Sequence, residues 1–208
     1  MNPGQIYDEI NETFNDWDGL LANPRFARVD DLVAWTNFTG GRLKDPITIE
    51  RILDVVQTGQ FTFQSAEDGS IFQLLYSFGS DGKLEVARLA FYLLQTRGSF
   101  EEGTAELISN SWIRIDYDLS TAKGVLHNDC HLHLYGFPES RIMVDSVPGP
   151  RQFVEFVISA CYPDFYKVHR LNESGDFAKP KAIEQVNACV LVTGSKPGPM
   201  LIHLATPK

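Results

Sequence analysis

Two stretches of this sequence alternate between apolar and polar residues, and an extended strand sorts such a pattern onto two faces. In Trp112-Ile113-Arg114-Ile115-Asp116-Tyr117-Asp118, the residues Ile113, Ile115 and Tyr117 fall on one side. Arg114, Asp116 and Asp118 fall on the other. In Asp129-Cys130-His131-Leu132-His133-Leu134-Tyr135, the residues Asp129, His131, His133 and Tyr135 share a face opposite Cys130, Leu132 and Leu134. If Lys123-Gly124 forms a two-residue turn, the stretches join into an antiparallel hairpin from Trp112 to Tyr135; a longer loop shifts the register by two and keeps the faces. In that register Asp116 stands beside His131, Arg114 beside His133, and Asp118 opposite Asp129. The same register sets Ile115 against Leu132 and Ile113 against Leu134, so the apolar faces agree as well.

The flanking sequence has other periods. Ile6, Ile10, Phe14, Trp17 and Leu21 recur at spacings of three and four, which predicts a helix over residues 3–22. Asn23-Pro24 ends it, because a residue before proline is pushed out of the helical region. Residues 29–36 fit a short helix or a strand. A second helix runs from Thr48 to Thr58, with Ile49, Ile52, Leu53, Val55 and Val56 apolar and Gly59 placed to cap it. From Gln60 the period becomes two: Phe61-Thr62-Phe63, a turn at Asp68-Gly69, then Ile71 to Phe78. Leu84 to Gln95 reads as a strand in that context, although its apolar spacing also fits a helix. Residues 99–110 read as a polar connection or short helix. After the hairpin, Pro148-Gly149-Pro150 opens a helix that Tyr162-Pro163 stops, and residues 172–180 read as loop. Asn187 to Thr193 and Pro199 to Ala205 read as a closing hairpin. This order predicts a single α+β domain over residues 1–208, with N-terminal helices, a mainly antiparallel sheet and a helix near 150–162.

Composition agrees. A chain of 208 residues, 43% hydrophobic and 22% charged, buries a core without staples, and 14 phenylalanines predict an aromatic-rich one. Cys130, Cys161 and Cys189 are odd in number and lack a C-x-x-C pair, so they read as buried free thiols rather than disulfides or a zinc ribbon. No apolar run approaches the length of about 18 residues that crosses a bilayer. Met1 to Gln5 has no basic stretch leading into an apolar one, so a cytoplasmic protein is expected. A net charge of −9 suits a neutral or basic protein partner, and gives poor non-specific grip on a phosphate backbone. It leaves room for an RNA enzyme with a local basic groove.

The polar hairpin face suits three chemistries. His131 and His133, with Asp116 or Asp129, can ligate a divalent transition metal, the one cofactor the sequence leaves room for. Alternatively, a histidine oriented by Asp116 is a general base, with Arg114 or Arg141 stabilising an anionic transition state. That set fits metal-independent cleavage of RNA, where a 2′-hydroxyl loses its proton. Third, arginine and histidine recognise a phosphate or carboxylate. Asp118, Tyr135 and the turn residue His127 are candidate substrate contacts, His127 doubling as a third ligand. A sheet face turned to water shows the same residue types. No phosphate loop, dinucleotide fingerprint, H-E-x-x-H or nucleophile elbow is present.

Arg114-Ile115-Asp116-Tyr117-Asp118, His127, His131-Leu132-His133, Ser140-Arg141-Ile142, and Pro150 before Phe153-Val154-Glu155-Phe156 form one ordered set closing on Tyr162-Pro163. Over residues 111–163 this set resembles an uncharacterised bacterial domain-of-unknown-function family with an R-I-D-Y-D strand and a histidine-rich second strand. Asn128 and Met143 stand where that pattern carries proline. The family brings no assigned activity. Its layout is more distantly similar to small toxin-like proteins of bacterial conflict systems, which implies a defence or toxin–antitoxin role directed at RNA. The leading expectation is therefore ribonuclease-like cleavage, with His131 or His133 as acid/base, Asp116 orienting, and Arg114 and Arg141 facing phosphate. The rivals are a non-catalytic accessory subunit that binds a protein partner, and a metal-stabilised binding module.

Overall fold

A computed structural model describes residues 2–39, 49–97, 106–121, 130–170 and 202–203. Helix α1 (Pro3–Asp16) opens with a capping box: the Asn2 side chain accepts from the Gln5 amide, and the Gln5 side chain accepts from the Asn2 amide. Ile6 and Ile10 bury its apolar stripe. The helix ends at Asp16 rather than near residue 22, because Leu21 and Ala22 form strand β1. Residues 29–36 resolve as strand: β2 (Phe26–Val29) and β3 (Leu32–Trp35) form a hairpin. Helix α2 (Ile49–Gln57) follows as expected.

The strands then come in chain order. They are β4 (Phe63–Ser65), β5 (Ile71–Phe78), β6 (Leu84–Arg97), β7 (Glu106–Asp118), β8 (Cys130–Leu134) and β9 (Phe137–Val144). Leu84 to Gln95 is thus a strand, and β7 reaches back to Glu106, into the stretch expected to be a connection or helix. Helix α3 (Pro150–Cys161) lies where Pro148-Gly149-Pro150 predicts it. Tyr162-Pro163 does stop α3, but Pro163 begins a further helix, α4 (Pro163–Arg170). Proline has no amide to leave unsatisfied in a first helical turn, so the residue that ends one helix starts the next. Of the expected closing hairpin, only β10 (Ile202–His203) is described, paired with β9. The rest of it, and the loop at 172–180, lie outside the described residues.

All these strands form one sheet with antiparallel pairings, in the order β1-β4-β5-β6-β7-β8-β9-β10, with β3 joining at β5 and β2 at β3. The fold is α+β. Strand β5 is buried along nearly its whole length, the mark of a strand covered on both faces. One face carries Phe72, Leu74 and Tyr76 of β5, Leu89 and Phe91 of β6, Ile115 and Tyr117 of β7, and Cys130 and Leu132 of β8. Helices α1 and α3 close over it with Ile6, Ile10, Phe153, Val154 and Val157. Phenylalanines dominate as expected: Phe72 meets Phe91 at 4.7 Å between ring centroids and Phe63 at 6.4 Å. Arg151 of α3 pairs with Asp16 and Glu12 of α1 and donates its amide to Glu9, which clips the two helices together. Cys130 is buried, as expected, but Cys161 at the end of α3 is exposed.

Phe72→Ala removes a fully buried ring from the middle of this core. The expected loss is about 3–5 kcal/mol of unfolding free energy, read from denaturant titration. A loss within experimental error would show that the core does not depend on that ring.

Candidate active site

The second face of the sheet carries a polar cluster. Register puts Arg88 of β6 opposite Asp116 of β7, and Asp116 opposite His131 of β8. One row along, Ala90, Arg114 and His133 are aligned. The expected hairpin register is therefore correct at Arg114, Asp116, His131, His133 and both apolar pairs. The turn at Lys123-Gly124 and the partner Asp129 lie outside the described residues.

Alternation places Arg114 and Asp116 on the same side two residues apart, and the long arginine side chain reaches back along its own strand. Its Nε donates to Asp116 Oδ2 at 2.8 Å. From the neighbouring strand Arg88 Nε donates to Oδ1 at 2.9 Å. His133 Nε2 approaches Oδ2 at 3.5 Å, so the carboxylate meets the histidine diagonal to it. His131 and His133 pack edge to face, with ring centroids 4.7 Å apart. Arg114 also lies over the Trp112 ring at 5.7 Å.

This is not a water-facing sheet surface. Arg114, His131 and His133 are 8%, 7% and 6% exposed. Burial by itself pushes the Asp116 carboxyl up, but the guanidiniums of Arg114 and Arg88 outweigh it and hold the group below the usual carboxylate range. Asp116 is thus a fixed anion between two fixed cations.

Among the described residues, Asp116, His131 and His133 also offer one ligand atom each within 4.8 Å of one another, a donor set that accepts a transition metal. Both Asp116 oxygens already receive guanidinium donors, however, and a metal would have to compete with them for the carboxylate.

The other expected site residues are scattered. Arg141 lies on β9, as a backbone position only. His127 lies outside the described residues. Asp118 caps the turn after β7, accepting from the Ser120 amide and hydroxyl. Tyr135 sits in the turn after β8, 55% exposed, with its amide donating to the Trp112 carbonyl. His169 is on α4, against the Trp17 ring at 4.2 Å between centroids. Arg88 belongs to the cluster and was not anticipated. Reading Leu84 to Gln95 as a strand puts it on one face with Val86 and Ala90, but bringing that face to Asp116 needs the β6–β7 register, which no turn signal sets.

The depressed Asp116 group carries a stability contribution that is complete above the ordinary carboxylate range. It is lost as pH falls from about 4 through the lower folded value. Thermal melts of wild type and Asp116→Asn across this window check it. The gap between them is expected to stay constant above about pH 5 and to narrow below about pH 4. A constant gap throughout would contradict a charged Asp116.

No curated protein and no solved structure matches this chain. A family model for an uncharacterized conserved protein, DUF2290, matches residues 30–193. The match spans β6, β7 and β8, and with them the whole cluster. The chain belongs to the DUF2290 family of uncharacterised conserved proteins.

Proposed function

We propose that this cluster cleaves a phosphodiester in RNA without a metal. The observation that carries the reading is a paired histidine couple beside a carboxylate kept ionised by two arginines. His133, in contact with Asp116, is the base, since a fixed carboxylate favours the imidazolium that forms. It takes the proton of a ribose 2′-hydroxyl, whose oxygen attacks the adjacent phosphorus. The bond to the 5′-oxygen breaks, and His131, entering as imidazolium, protonates that leaving oxygen. A 2′,3′-cyclic phosphate and a 5′-hydroxyl result, and no water or other reactant is consumed. Arg88 and Arg114 face the negative charge that gathers on the phosphorane oxygens. Arg141, on β9, is the third phosphate-facing charge in this reading. The defence or toxin–antitoxin setting rests on likeness of layout and supplies a context for such an activity, not its chemistry.

Asp116 is a poor residue to test alone. Its removal strands two buried guanidiniums and costs about 3–5 kcal/mol, so lost activity would not separate chemistry from folding. The histidines are the clean variants. His131→Ala and His133→Ala are each expected to lower cleavage of a mixed-sequence RNA by about 100-fold or more in protein that still melts cooperatively, at a lower temperature because each removes a buried ring. The DNA of the same sequence should remain intact, because it lacks the attacking hydroxyl. Cleavage that survives both substitutions sinks the proposal. A second reading, favoured by the spacing of Asp116, His131 and His133, is a transition-metal site. A chelator that abolishes cleavage or lowers the melting temperature would select that reading instead.

A further inference from the structure

A pocket of about 140 Å³ lies on the other face of β6 and β7, between those strands and the C-terminal part of α3. Register builds its sheet side: Phe91 stands opposite Ile113, and Leu93 opposite Ser111. Helical spacing builds the other side, where Phe156, Val157, Ala160 and Cys161 fall at positions that share one flank of α3. Phe91 and Val157 are each 1% exposed and belong to the main core. Leu93, Ile113 and Phe156 pack against that core yet stay only half-buried. Three large apolar side chains thus keep area in water at one spot, and a guest in the pocket would remove it.

Size and lining set the chemistry of that guest. A cavity of about 150 Å³ lined by leucine, isoleucine and phenylalanine holds benzene. The lining here carries no carboxylate, ammonium or guanidinium, and Ser111 and Cys161 bring only a hydroxyl and a thiol. Burial and the nearby Asp68 charge push the Cys161 thiol up, so it stays uncharged at neutral pH. A charged guest would give up its water with no ion to replace it, whereas a neutral apolar one loses nothing by entering.

We infer that this pocket is a binding site for a small neutral apolar molecule, the size of one aromatic ring or a fused pair. It lies on the opposite sheet face from the polar cluster and does not rest on the RNA-cleavage reading.

The test uses toluene and indole as probes, with benzoate as the charged control. Cys161 is exposed and lines the pocket, so its alkylation by iodoacetamide, followed by mass spectrometry at that residue, reports occupancy. At about 2 mM toluene or indole the rate is expected to fall about three-fold, as for a site half-filled at about 1 mM. Benzoate at the same concentration should leave the rate unchanged. Ala160→Phe fills the pocket from an exposed helix position and should abolish the protection, with a cooperative melt as the check on folding. No protection by either probe overturns the inference, and so does equal protection by benzoate. Protection that persists in folded Ala160→Phe also overturns it, because the probe then sits elsewhere. If Ala160→Phe does not fold, the contrast between the neutral probes and benzoate on the wild-type protein decides alone.

Discussion

One carboxylate held by two guanidiniums on a largely buried sheet face constrains the structure around it. A charge taken out of water is tolerated only when partners replace the solvent, and three charges within one site demand close geometry. Asp116 meets that demand by drawing Arg114 from its own strand and Arg88 from the next, while His133 arrives from the strand beyond. Three adjacent strands are thus tied at one point. The apolar residues on either side of that point must be covered separately. Helix α2 covers one flank and the β2–β3 hairpin the other, which gives the sheet two further small cores besides its main one.

The main core is less demanding. Phenylalanine rings from β4, β5 and β6 fill the space under α1 and α3, and the helices are fastened at their outer edge by Arg151 against Asp16 and Glu12. A second buried pair, Glu155 with Arg170, ties α3 to α4, and Arg170 lies over the Trp17 ring at 4.9 Å. The first clip joins elements far apart in sequence and the second joins consecutive helices, each around contacts that are otherwise apolar and non-directional. The charges fix the orientation that burial alone would leave loose.

Much of this was legible beforehand, for identifiable reasons. Period two in residues 112–118 and 130–134 set the faces of β7 and β8, and matched apolar pairs set their register, so the pairing of Arg114, Asp116, His131 and His133 followed from side-chain spacing. Residues 29–36 were ambiguous because β2 and β3 are four residues each, too short to show a period. Arg88 stayed hidden because its place beside Asp116 depends on a long-range register, not on local alternation. The burial of the cluster was equally out of reach, since it depends on segments distant in sequence folding over a face that alternation marks only as polar. Tyr135 shares that face by alternation, yet β8 ends one residue earlier and the tyrosine turns out into solvent.

The two faces of β7 also make its alignment self-checking. A slip of one residue against β6 would carry Arg114 and Asp116 into the phenylalanine core and bring Ile115 to the face where Arg88 waits. Every charge in the row would lose its partner at once. A slip of two would keep the faces but set Arg88 against Arg114 or Asp118, leaving the carboxylate with half its clamp. The residues proposed to act on RNA therefore serve as the sheet's alignment mark, so the same side chains that would handle the substrate also discourage misfolded pairings.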